Sequence, residues 1–315
     1  MNKTLIVKRN STFNNLGKKL NHSKYLLMMI VPAIVYYFIF CYIPMYGILI
    51  AFKEYYPKKG IMGSPWNGLK NFKFLAEADS NFWPVLRNTL IIGVSKIIIS
   101  FIAALLVALL LNEIRMRLFK KTIQIVVTFP HFLSWVVVGG FVMNLFGRTG
   151  AVNDLIALAG KERIDFMSDG RFFLGLLFTS DIWKEAGWSS IIYLATMAGI
   201  SPELYEAADI DGATRIQKIK NITLPGIKPT AILLLIMSVG GILSAGFDQI
   251  YNLYNPLVYK VSDILDTYIY RETLYTGALK AGVGTAIGLF KSVVSFILVL
   301  IVDRIAKLCG ERGII

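Results

Sequence analysis

Cysteine and histidine are scarce, with two of each in 315 residues. Cys41 lies in the first apolar run and Cys309 near the C-terminus, so a disulfide is not expected and no metal-ligand set exists. Charge is thin as well: 17% of residues are charged against 55% hydrophobic. Mean hydropathy is +0.59, which excludes an ordinary soluble domain. Gly-x-x-x-x-Gly-Lys-Ser/Thr is missing. Gly284 and Gly288 precede Lys291-Ser292, but at the wrong spacing for a P-loop. Gly282-x-Gly284 lacks the third glycine of a dinucleotide fingerprint, and neither His-Glu-x-x-His nor Gly-x-Ser-x-Gly occurs. The chain is therefore expected to be no enzyme and to hold no cofactor or metal. Energy for any vectorial work has to come from another subunit or from an ion gradient.

Long apolar runs take up the space. A spanning helix needs about 20 mostly apolar residues. Candidate runs cover roughly Tyr25–Ala51, Phe82–Leu111, Thr122–Phe146, Phe172–Ile200, Thr230–Tyr251 and Ala281–Ile305. The expected fold is all-α, a polytopic membrane protein of six transmembrane helices. Residues 1–24 form a basic arm, 25–305 the membrane domain and 306–315 a tail. The arm carries Lys3, Lys8, Arg9, Lys18, Lys19 and Lys24, suited to anionic lipid heads. The run after it is too long for a signal peptide's apolar region and has no clean small-residue cleavage site. A net charge of +13 raises nucleic acid as a partner, but its distribution indicates topology instead. With the N-terminus inside, the inner segments hold the larger share of Lys and Arg. Both termini, and the segment 201–229, then face the cytoplasm.

Polar residues inside these runs are costly. Lys96 sits deep in the second run, where a charge costs about 2.5–3.5 kcal/mol on insertion scales, so it should face protein or water. Arg87, near the end of that run, can snorkel. Pro32 and Pro44 should bend the first run. Pro130, beside His131, should kink the third, with Gly139-Gly140 permitting close packing; a lone His131 reads as structural. The fourth run carries Asp181, Trp183, Lys184, Glu185, Trp188 and Tyr193, and Asp181 can pair with Lys184 three residues on. Aromatic faces beside polar groups suit a sugar in an aqueous path. Equally, the two tryptophans can be belt residues with the charges at the water boundary. The fifth run offers the small-residue pairs Gly240/Ser244 and Gly241/Ala245 for tight helix contact. Phe247, Asp248, Tyr251 and Tyr254 follow, either lining a cargo path or forming an aromatic belt.

Between the fourth and fifth runs lies a different kind of segment, Ser201 to Pro229. Ser201 is a candidate N-cap, Pro202 fits the first helical position and Glu203 favours the helix start. Leu204, Ala207 and Ala208 share a face. Gly212 should stop or bend this helix. Thr214 can cap a second short one, carrying Ile216, Ile219 and Lys220 and ending before Leu224-Pro225. Helices this short need a tertiary partner, so the segment reads as a docking element.

Glu206-Ala207-Ala208, Asp209, Gly212, Ile222 and Leu224-Pro225 resemble, at every spacing, the EAA loop of ABC importer permeases. Gly68-Leu69-Lys70-Asn71-Phe72, Asp266 to Arg271, Gly288 to Val293 and Gly310-Glu311-Arg312-Gly313 are similar to the LplB-type branch of the MalF-type carbohydrate permeases. The resemblance covers nearly the whole chain from about residue 25. It implies a multi-pass protein of the bacterial cytoplasmic membrane that moves oligosaccharide by alternating access. It further implies a second permease subunit, two ATPase subunits that bind ATP and Mg, and an extracytoplasmic sugar-binding protein. This chain lacks MalF's extra spans and large outer domain, so maltose contacts do not transfer. Two other readings stand beside it. One is an ion-coupled secondary carrier using Lys96, Asp181, Glu185 or Asp248, although no inverted repeat is visible. The other is a membrane enzyme on lipid-linked sugars, for which Asp209-x-Asp211 is the nearest carboxylate pair.

Overall fold

The computed structural model describes residues 24–77, 81–275, 280–308 and 310. All of the basic arm except Lys24, Cys309, and Glu311 to Ile315 of the tail lie outside the described residues. Regular structure within them is helical, apart from an isolated bridge between Lys53 and Trp66. Five stretches are long and apolar enough to cross a membrane: Leu27–Phe52, Phe82–Glu113, Trp135–Leu158, Arg215–Gly240 and Ala281–Leu308. A further helix of 29 residues, Gly170–Ala198, has the length, but Asp181, Lys184 and Glu185 interrupt its apolar surface.

The first stretch begins as α1 (Lys24–Tyr37), with Pro32 inside it. It widens into a π turn over Phe38–Tyr42 and tightens into a 3-10 stretch over Tyr46–Phe52. The amide of Ile43 bonds back to the Phe38 carbonyl, directly before Pro44. Proline has no N–H, and its ring clashes with the carbonyl four residues back; the wider turn moves that carbonyl aside and lets the helix continue. After the short helix α2 (Lys70–Ala76) comes α3 (Phe82–Glu113), the longest element.

Two expected spans are not continuous helices. The third, Thr122–Phe146, divides at Pro130. Helix α4 (Arg117–Thr128) gives way to a 3-10 turn, Phe129–Phe132, and α5 (Trp135–Phe146) starts afresh with Ser134 accepting from the Val137 amide at 3.3 Å. No π turn precedes Pro130, so the helix ends there. A short α6 (Ala151–Leu158) follows α5. Next comes α7 (Gly170–Ala198), capped by the Asp169 side chain on the Arg171 amide at 2.8 Å.

The fifth expected span, Thr230–Tyr251, also breaks. After α8 (Pro202–Ile210) and α9 (Arg215–Lys218), a π turn over Ile219–Thr223 leads straight into α10 (Leu224–Gly240). The second loop helix therefore does not end before Leu224-Pro225. Leu224 bonds to the Ile219 carbonyl immediately before Pro225, the same accommodation seen at Pro44. At the far end, Gly241, a 3-10 turn (Ile242–Ser244) and two left-handed residues, Ala245 (φ +46°) and Gly246 (φ +84°), separate α10 from α11 (Phe247–Leu253). Gly240, Gly241, Ser244 and Ala245 thus let the chain turn rather than forming a small-residue helix ridge. The break is packed in place: a Cβ on Gly93 of α3 would collide with the Ile242 carbonyl. Helices α12 (Tyr259–Ser262), α13 (Leu265–Ile269) and α14 (Ala281–Leu308) complete the chain.

Helix α7 packs most extensively against α3. One apolar cluster joins α3, α5, α7 and α11 through Ile92, Val138, Leu177 and Ile250. A second joins α2, α3, α13 and α14 through Leu75, Phe82, Leu265 and Ile287. The third joins α3, α7 and α10 through Ala104, Tyr193 and Ile227. The charged helix is central, and the apolar α1 leaves the bundle: every residue from Leu27 to Tyr46 is exposed.

Candidate functional site

Helix α7 holds its charges inward by giving each one a partner. Asp181 does not pair with Lys184. It meets Lys96 of α3 at 3.3 Å and accepts from Ser100 Oγ at 2.9 Å. Lys96 also donates to Gln249 Oε1 of α11. The Gln249 amide nitrogen in turn donates to the Leu177 carbonyl (2.6 Å) and to Ser180 Oγ (2.9 Å). One buried lysine therefore ties α3, α7 and the start of α11 together. A residue larger than glycine at 246 would run into its amine. The sequence shows that Lys96 needs company; it does not show that Gln249 supplies part of it, because a neutral amide carries no charge signal.

Lys184 makes a second knot. It is almost wholly buried and donates to the His131 carbonyl at 2.7 Å and to Glu185 at 2.9 Å. Glu185 meets His131 Nδ1 at 2.7 Å, and the His131 ring stacks on Trp188 at 4.4 Å with an interplanar angle of 3°. The backbone break at Pro130 brings His131 there. Gly187 lets α4 approach: a Cβ on it would collide with the Val127 carbonyl.

Beside the Lys96 knot lies a cavity of about 320 Å³ between α3, α7 and α10. Its walls include Lys96, Ser100, Trp188, Ser189, Tyr193 and Ser238. Trp183 faces elsewhere, lining an apolar groove with Phe129 and Phe146. Phe247, Asp248 and Tyr251 lie on the less buried face of α11, where Phe247 stacks on Tyr251 at 5.4 Å and Tyr251 meets Tyr270 edge-on at 5.0 Å. Above them the chain from Tyr254 to Tyr275 is pinned by Arg271. Burial opposes its charge, but hydrogen bonds to Asp263 and then Glu272 raise its pKa further, and the guanidinium also lies over the Tyr259 ring at 4.3 Å. The Arg271–Asp263 pair is a site that sequence reasoning missed, since the partners stand eight positions apart across α13, outside the three- or four-residue spacing of neighbours on one helix face.

The 201–229 segment is braced from within. Ser201 precedes α8 without a side-chain cap bond, whereas Thr214 and Gln217 form a full capping box. Gly212 takes φ +74°, and the amides of Gly212 and Ala213 bond back to Asp209 and Ala208, the glycine-terminated helix end of a Schellman motif. Lys218 reaches Asp209 at 2.6 Å, and the Tyr205 hydroxyl meets Thr223 Oγ1 at 2.9 Å. Glu206, Ala207, Asp209, Gly212 and Pro225 are exposed, while Ala208, Ile222 and Leu224 are half-buried. Leu204, Ile210 and Ile216 are also exposed, the last two at 87% and 76%.

A helical membrane chain with a braced, solvent-facing loop invites comparison with known transporters. Residues 96–310 match the model of the binding-protein-dependent transport system inner membrane component family. The chain belongs to this family. It is accordingly a multi-pass component of the cytoplasmic membrane and works with a binding protein; a carrier driven only by an ion gradient is set aside. It is 44% identical to the polygalacturonan/rhamnogalacturonan transport system permease protein YteP of Bacillus subtilis (strain 168), over 94% of this chain and 92% of that protein. A crystal structure of a bacterial ABC transporter involved in the import of the acidic polysaccharide alginate contains a chain 37% identical, with a TM-score of 0.85 over 93% of this chain and 98% of that one. A second structure, of the bacterial alginate transporter in complex with an alginate pentasaccharide-bound periplasmic protein, matches at 36% and 0.85, over 94% and 99%.

Proposed function

We propose that this chain is the permease subunit of an ATP-driven importer whose cargo is an acidic oligosaccharide, a chain of sugars bearing carboxylates. Relatives named for polygalacturonan and for alginate support the acidic cargo. The cavity beside α7 supports a sugar path: it combines a cation, hydroxyls and aromatic faces. On this reading α7 is a sixth span and its charges face the path. Both termini and the 201–229 loop are cytoplasmic, residues 1–24 and 306–315 flank a permease domain over 25–305, and a second permease subunit completes the pathway. Two ATPase subunits bind ATP and Mg, and an extracytoplasmic binding protein delivers the sugar.

The observation that carries the coupling mechanism is the braced loop. Exposed Leu204, Ile210 and Ile216 share with Glu206 a segment stiffened by its cap, its Gly212 turn and the Asp209–Lys218 pair. The π turn fuses α9 to α10, so a push on the loop is carried along the helix rather than lost in a hinge at Pro225. ATPase closure would move this lever and reorient the spans around the cavity, with Glu206 meeting a basic group on the ATPase. Purification of the chain with its co-expressed partner subunits tests this. The ATPase should co-purify with the wild type and be lost from a Glu206→Lys, Gly212→Pro variant. Retention of the ATPase with coupled uptake in that variant would contradict the docking account.

A further inference from the structure

We propose that Lys96 is the receptor for a sugar carboxylate, and that Asp181 occupies that place until cargo arrives. This rests on the acidic-oligosaccharide reading and assigns its specificity to one amine. Among the described residues lining the 320 Å³ cavity, Lys96 is the cation. Lys184 is enclosed by Glu185 and the His131 carbonyl, and Arg271 by Asp263 and Glu272, and neither reaches this cavity. Lys96 lines the cavity with 11% of its side chain accessible, and Asp181, 14% accessible, meets its amine at 3.3 Å.

The chemistry favours exchange. A buried ammonium keeps its charge only with an anion close by, and a carboxylate is a like-for-like substitute for Asp181. Asp181, once released, retains its hydrogen bond from Ser100 Oγ. A neutral sugar brings no anion, so reaching Lys96 would require breaking the ion pair without replacing it. Discrimination therefore comes from the cost imposed on the wrong cargo as much as from attraction to the right one. Size agrees: the cavity is at the lower end of small-molecule sites, room for one ring of a longer chain, with the exposed Trp188 on its wall.

The test uses the whole importer in proteoliposomes, with both permease subunits, the ATPases and the binding protein. Uptake of trigalacturonate is compared with uptake of its neutral methyl ester. The binding protein is unchanged throughout, so its own preference cancels when each variant is divided by wild type. Lys96→Gln combined with Asp181→Asn keeps the site neutral and avoids stranding a buried charge. Its preference for acid over ester should fall about tenfold or more, the size of one lost charge-assisted bond. Asp181→Asn alone, which removes the competitor, should lower the apparent KM for trigalacturonate. Wild-type preference for acid that stays unchanged in both assembled variants would overturn the proposal while leaving the cargo reading intact. A wild-type complex that is indifferent to the carboxylate would overturn both.

Discussion

The stretch Leu27–Phe52 and the helix α7 are of similar length and opposite design. The first is apolar along its length, and every residue from Leu27 to Tyr46 is exposed. The second carries two carboxylates and a lysine at its centre and is packed against α3, α4, α5 and α10. In water an apolar stripe marks what goes inside; in a bilayer the rule turns over, because lipid takes apolar surface without cost and only protein or trapped water can take charge. A count of apolar helices accordingly finds α1 and misses α7. A long helix too charged to count as a membrane span is the one on which the cavity is built.

Substitutions can break that contrast. Lys96→Met should have the largest effect, because it strands Asp181 in the bundle: about 3–5 kcal/mol of stability, seen as a large drop in thermal midpoint in detergent. Adding Asp181→Asn should recover part of it. Gly187→Leu should follow, since its side chain has to displace the α4 backbone at Val127. Overpacking of this kind costs about 1–3 kcal/mol, and the same thermal scan reads it. Thr214→Ala, which removes the capping box, should cost about 1 kcal/mol, seen as faster amide exchange confined to Arg215–Lys218. Met28→Ala on α1 should fall within about 0.5 kcal/mol in the isolated chain, as the side chain touches little there. A large loss at Met28 with a small one at Lys96 would reverse the assignment of the two helices.

The membrane class, the long helical stretches at Leu27–Phe52, Phe82–Glu113 and Ala281–Leu308, and the Gly212 turn are legible because each rests on local signals: run length, composition, and a glycine where the backbone needs a positive φ. The need for Lys96 to face protein was legible for the same reason. The partners were not. Helical spacing matches Asp181 to Lys184, but Lys96, far away in sequence, wins through tertiary packing and takes Gln249 as a second acceptor. The proline breaks divided along a similar line. Pro130 ends a helix, whereas Pro44 and Pro225 do not, because a π turn precedes each of those two and none precedes Pro130. The interruption at Gly241–Gly246 was hidden because small residues serve a tight helix contact and a turn equally well.

Water access tests the central contrast most directly. In a background with Cys41 and Cys309 replaced by serine, a single cysteine at Ser189 on the cavity wall or at Ile34 on α1 is exposed to a charged, water-soluble thiol reagent in the reconstituted importer. The account predicts that the cysteine at 189 reacts in at least one nucleotide state, is protected by transported oligosaccharide, and that the cysteine at 34 stays silent. Labelling at 34 with none at 189 in any state would contradict it.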